Sequence, residues 1–128
     1  SNTMKCLMIV AHGSRKQAST DEVFALAEKV KCLNVPFDHV CVAFLEFAQP
    51  CISVSFEQCF DPKGQDYDEV VVLPYFLSQG NHVAKDVPEA LAQARLQWPS
   101  KKITLLNHIG ALSNMPELII SASTILKD

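Results

Sequence analysis

Residues Met4 to Arg15 read MKCLMIVAHGSR, an apolar run that stops abruptly at His12, Gly13 and Ser14. Seven of the eight residues from Met4 to Ala11 are apolar. A half-exposed strand would alternate, so this one reads as a strand buried on both faces, the kind found in parallel sheets. An imidazole does not fit such an interior. His12 is therefore expected just past the carboxyl end of the strand, the edge where open α/β sheets place their ligands. Gly13 permits a sharp turn there, and Ser14 and Arg15 follow with groups able to hold an anion.

Downstream the same grammar repeats. Val23, Leu26, Ala27, Val30 and Leu33 recur at helical spacing after an acidic start at Thr20, Asp21 and Glu22, and Asn34, Val35 and Pro36 end that helix. His39 to Phe47 (HVCVAFLEF) is a second apolar strand with Glu46 near its carboxyl end. Pro50 introduces a short helix over Cys51 to Phe60, and Asp61 to Tyr67 reads as turn. The third strand, from Glu69, runs through Tyr75, Phe76 and Leu77 into Ser78, Gln79, Gly80, Asn81 and His82. A helix from about Ala84 through Trp98, a strand from Lys102 to Asn107 followed by His108, and a last helix opened by Asn114 to Glu117 complete the chain.

The order βαβαβαβα predicts an α/β fold, a four-stranded parallel sheet with helices on both faces and strand order 2-1-3-4. His12 and His82 then face each other across the crevice between strands 1 and 3, with Glu46 nearby. Two imidazoles and a carboxylate suit a borderline divalent metal better than Mg²⁺ or Ca²⁺, and the same groups take protons near neutral pH. Arg15, Lys16 and Lys85 fall close to these loops and are placed to neutralise a ligand's acidic groups. Tyr75, Phe76 and Leu77 read as core or pocket wall. His39, at the other end of its strand, reads as structural or solvent-facing, and His108 as an ordinary loop histidine.

Composition limits the function classes. The chain has 128 residues, 48% hydrophobic and 20% charged, so a single globular domain over residues 4–128 is expected, with Ser1 to Thr3 read as an expression scar or frayed start. A net charge of -3 argues against non-specific nucleic-acid binding. The absence of a long apolar run argues against a membrane span and for a cytoplasmic protein. Cys6, Cys32, Cys41, Cys51 and Cys59 contain no CxxC pair and read as small hydrophobes kept reduced.

AHGSR (Ala11 to Arg15), FLEFAQP (Phe44 to Pro50) and LPYFLSQGNHVAKDVPEAL (Leu73 to Leu91) together resemble the CbiX-type class II chelatases, in their short single-lobe form. The resemblance implies a flavodoxin-like chelatase lobe and insertion of Co²⁺, or of Fe²⁺ or Ni²⁺, into sirohydrochlorin, in cobalamin or other tetrapyrrole biosynthesis, with no nucleotide. It implies a homodimer whose second copy supplies the other lobe. It places the metal-binding and catalytic histidines on His12 and His82 and the acidic residue on Glu46; Ser14, Arg15, Tyr75, Phe76 and Lys85 are expected to contact the macrocycle. Family members often carry a glutamate where this chain has Gln49, and a glycine pair where it has Gly80 and Asn81. Two other readings are a metal or tetrapyrrole carrier without turnover, and a phosphate- or nucleotide-binding module, although GxGxxG and GxxxxGK[ST] are both missing.

Overall fold

The computed structural model describes residues 3–33 and 35–124, with the His82 side chain left aside. Its elements are β1 (Lys5–Ala11), α1 (Gln17–Lys31), β2 (His39–Phe44), α2 (Ile52–Cys59), β3 (Glu69–Pro74), α3 (Asn81–Gln97), β4 (Lys102–Leu105), a 3-10 turn (Ile109–Ala111) and α4 (Met115–Thr124). The described residues form one four-stranded sheet in the order β2-β1-β3-β4, all parallel. The predicted switch point between strands 1 and 3 is thus present.

β1 is buried from Cys6 to Ala11 because both of its faces are covered. Cys6, Met8 and Val10 pack with Phe56 of α2 and with Val87 and Leu91 of α3. Leu7, Ile9 and Ala11 pack with Ala27 of α1 and Phe44 of β2. Alternate residues of one strand therefore feed two cores, and its continuous apolar run follows from that placement.

Several element ends differ from expectation, each for a local reason. α1 starts at Gln17 rather than Thr20, since the Ser14 hydroxyl accepts the Lys16 N–H at 3.0 Å and closes the turn earlier. β2 stops at Phe44 rather than Phe47. Phe44 N–H donates to the Pro50 carbonyl at 2.9 Å, so the chain doubles back, with Phe47 in the left-handed region at φ 66°. α3 begins at Asn81 rather than Ala84, the Ala84 N–H already donating to the Gly80 carbonyl at 2.9 Å. β4 ends at Leu105 rather than Asn107. The expected helix stop at Asn34 and the chain after Thr124, including Ile125, lie outside the described residues.

The last helix stands apart from the other three. Both sheet faces are covered, but α1 supplies the cover on one and α2 with α3 on the other. α4 packs chiefly on the 3-10 turn and buries none of its residues within the chain. Leu118, Ile119 and Ile120 are 58%, 61% and 65% exposed.

Candidate metal and substrate site

The carboxyl ends of β1 and β2 are joined beyond the strands themselves. Leu45 N–H donates to the Ala11 carbonyl at 3.1 Å, and Glu46 N–H to the His12 carbonyl at 3.0 Å. This extension of the ladder carries His12 and Glu46 out side by side. The His12 Nε2 lies 3.1 Å from the Glu46 Oε1, and the two side chains remain 45% and 41% exposed. The other ring nitrogen, Nδ1, is 3.2 Å from the Gly13 carbonyl oxygen.

Gly13 is what allows the approach. Its φ is +101°, and a Cβ there would stand 1.7 Å from the Glu46 carbonyl oxygen. A side chain at this position would be strained and would also push the Glu46 backbone away.

Around this pair the predicted residues divide. The Arg15 guanidinium sits over the Phe47 ring, 4.8 Å from its centroid, so both residues flank the His12–Glu46 turn. The Ser14 hydroxyl accepts the Lys16 N–H, which leaves its own O–H to donate. Lys85, well exposed on α3, lies 4.0 Å from Glu89. His82 is the second residue of α3, which follows β3, the hydrogen-bonded neighbour of β1. The expected face-to-face arrangement of His12 and His82 involves a side chain outside the described set.

Tyr75 and Phe76 leave β3 on opposite sides, as successive residues of extended chain do. Tyr75 borders a hollow with Ser19, Glu22 and Val23 of α1, whereas Phe76 packs against the buried cluster under α2 and α3. Leu77 is 76% exposed. The loop they begin is pinned by Gly110, whose N–H donates to the Phe76 carbonyl at 3.0 Å and whose missing side chain admits the Leu77 carbonyl. His108 caps the 3-10 turn and lines a cavity of about 170 Å³ with Pro74, Gln79 and Leu105.

The cysteines also differ from a uniform set of core fillers. Cys6 and Cys59 are buried, Cys41 and Cys51 are half-buried and Cys32 is exposed. Cys6, Cys41 and Cys59 converge on one point. Contacts from Cys59 and Cys6 hold the Cys41 thiol below its usual range, and contacts from Cys41 and Cys59, with burial, push the Cys6 thiol up. Sequence spacing gave no hint of this cluster, although the parity of Cys6 and Cys41 on neighbouring strands carried part of the signal.

An exposed imidazole–carboxylate pair thus stands beside an arginine on the carboxyl edge of the parallel sheet of an α/β lobe. The chain belongs to the CbiX family, whose model matches residues 6–124. It is 38% identical over 88 residues to a sirohydrochlorin cobaltochelatase of Methanococcus maripaludis, a match covering 69% of this chain and 58% of that protein. It is 28% identical over 118 residues to a sirohydrochlorin ferrochelatase of Priestia megaterium, covering 91% and 42%. Its fold is similar to that of the sirohydrochlorin chelatase SirB from Bacillus subtilis subspecies spizizenii, solved in complex with cobalt: TM-score 0.81, 27% identity, 97% of this chain and 51% of that one. The chain spans about half the length of the curated relatives it matches. Among the described residues no helix is long and apolar enough to cross a membrane.

Proposed function

We propose that the chain is a sirohydrochlorin chelatase that inserts Co²⁺, and by the same chemistry Fe²⁺, into the macrocycle. The observation that carries the reading is the 3.1 Å contact between His12 and Glu46 on the ligand edge of the sheet, in a chain of the CbiX family. Insertion exchanges one M²⁺ for two pyrrole protons. A neutral imidazole can hold the incoming ion or accept a proton, and the adjacent carboxylate stabilises the imidazolium that results. His82, brought to the same edge by β3, is the second imidazole. Two imidazoles and a carboxylate leave coordination positions open, which a site that must release its ion requires.

The carboxylate-edged macrocycle meets Arg15, Lys85 and the Ser14 hydroxyl as donors. Phe47, under the Arg15 guanidinium, and exposed Tyr75 and Leu77 supply apolar surface, with Phe76 behind them. The protein acts in the cytoplasm and uses no nucleotide. Its working form is a homodimer, in which the exposed Leu118, Ile119 and Ile120 of α4 are apolar surface that a second copy would cover. Mixing the purified chain with sirohydrochlorin and Co²⁺ or Fe²⁺, and following the macrocycle's absorbance, tests the activity. Catalytic turnover supports it. Stoichiometric binding of metal or macrocycle with no acceleration over the uncatalysed rate would make the protein a carrier instead.

A further inference from the structure

Three of the five cysteines meet at the opposite end of the sheet from His12. The Cys6 and Cys41 sulfurs are 3.4 Å apart, and each lies 3.8 Å from that of Cys59. Cys6 is the second residue of β1, Cys41 the third of β2 and Cys59 the last of α2, so three separate elements deliver one sulfur triangle. Six residues of extended chain separate Cys6 from His12, about 20 Å at ~3.3 Å per residue. The triangle is thus well removed from the chelatase site.

The dimensions match a metal seat. Tetrahedral bonds of about 2.3 Å from zinc to thiolate place the sulfurs about 3.8 Å from one another. Two edges of the triangle already have that length, and the third is short by a few tenths of an ångström. Cysteines that merely fill a core have no reason to converge, still less beside an opening. Here Cys41 and Cys59 form part of the wall of a cavity of about 230 Å³ that also includes His39, Gln58 and Tyr67. His39 is the register partner of Cys6 across β1 and β2, so it shares that sheet face. Its ring lies parallel to that of Tyr67, centroids 5.9 Å apart.

We propose that Cys6, Cys41 and Cys59 form a second metal site, a three-thiolate seat for a thiophilic divalent cation of the zinc type. The cation enters through the cavity, and water completes its coordination there. It replaces the three thiol protons, and these leave to solvent by the same opening. Soft sulfur donors favour such an ion over the Mg²⁺ and Ca²⁺ of the cell. Because β1, β2 and α2 all contribute ligands, the bound ion ties the sheet to α2, and its binding free energy adds to the stability of the fold.

The test uses the reduced full chain without oxygen, with Cd²⁺ as a spectroscopic probe and Zn²⁺ in competition with a chromophoric chelator. A thiolate-to-cadmium charge-transfer band in the ultraviolet should rise to an end point at one equivalent. It should persist in His12→Ala, which separates this site from the chelatase reading, and in the double variant Cys32→Ser with Cys51→Ser. It should vanish in Cys41→Ser, with Zn²⁺ affinity reduced at least about a hundredfold, since even outer-shell losses cost roughly 10–100-fold. Differential alkylation of the native chain, read by peptide mass spectrometry, needs no core variant: Zn²⁺ should protect Cys6, Cys41 and Cys59 but not Cys32. A native chain that gives no such band and no protection overturns the proposal, as does a band that survives in folded Cys41→Ser or is lost with Cys32 and Cys51.

Discussion

His12 and Glu46 are joined twice, once through the backbone, where the Glu46 N–H donates to the His12 carbonyl at 3.0 Å, and once through their side chains at 3.1 Å. The backbone bond positions the side-chain pair without help from a ligand. Glu46→Gln keeps the shape and a hydrogen-bonding group but removes the negative charge. Insertion of Co²⁺ should slow by at least about tenfold, within the range that a positioned acid or base contributes, while thermal stability stays within about 0.5 kcal/mol, as for a surface change. Initial rates and a melting curve on the same preparation check both halves.

Gly13→Ala joins fold to function. It places a side chain at φ +101° and 1.7 Å from the Glu46 carbonyl oxygen. We expect a loss of about 1–3 kcal/mol from the strained backbone, and a fall in insertion rate as large as that of Glu46→Gln, because the same movement separates Glu46 from His12. Denaturant unfolding and the insertion assay measure the two effects.

Arg15 should act on binding more than on chemistry. Arg15→Ala removes a guanidinium held over Phe47 and should raise KM for sirohydrochlorin with little change in kcat. The effect should shrink as salt screens the macrocycle's carboxylates. A kcat loss at unchanged KM would move Arg15 from binding to the chemical step.

Leu91 is fully buried under the sheet on α3, in the cluster with Met8 and Val72. Leu91→Ala should cost about 2–5 kcal/mol through lost transfer energy and the cavity left behind. Equilibrium unfolding in urea gives the number directly.

How far the chain could be read in advance varies with the kind of information involved. Continuous apolar strands ending in HG and NH announced the parallel sheet, and right-handed crossovers gave its order, because burial on both faces leaves a period-free signature that other elements do not share. That Glu46 lies near His12 followed from that order. The backbone bonds past the ends of β1 and β2, and the stacking of Arg15 on Phe47, did not. They depend on the chain doubling back at Phe47, a reversal set by hydrogen bonding between Phe44 and Pro50. That Tyr75 and Phe76 leave β3 on opposite sides follows from period-two alternation carried past the end of the strand. An apolar helix such as α4 reads alike whether its partner is its own sheet or a second molecule. The sulfur triangle was hidden because Cys6, Cys41 and Cys59 are far apart in sequence and meet only through strand register.

The central claim is that the imidazole of His12 handles the metal and protons of insertion. Initial rates of Co²⁺ insertion into sirohydrochlorin by His12→Ala, compared with the unaltered chain at matched fold content, test it most directly. The account predicts a fall of at least about a hundredfold, the lower range for a general base, with melting behaviour retained. A folded His12→Ala protein that inserts the metal at an undiminished rate would contradict it.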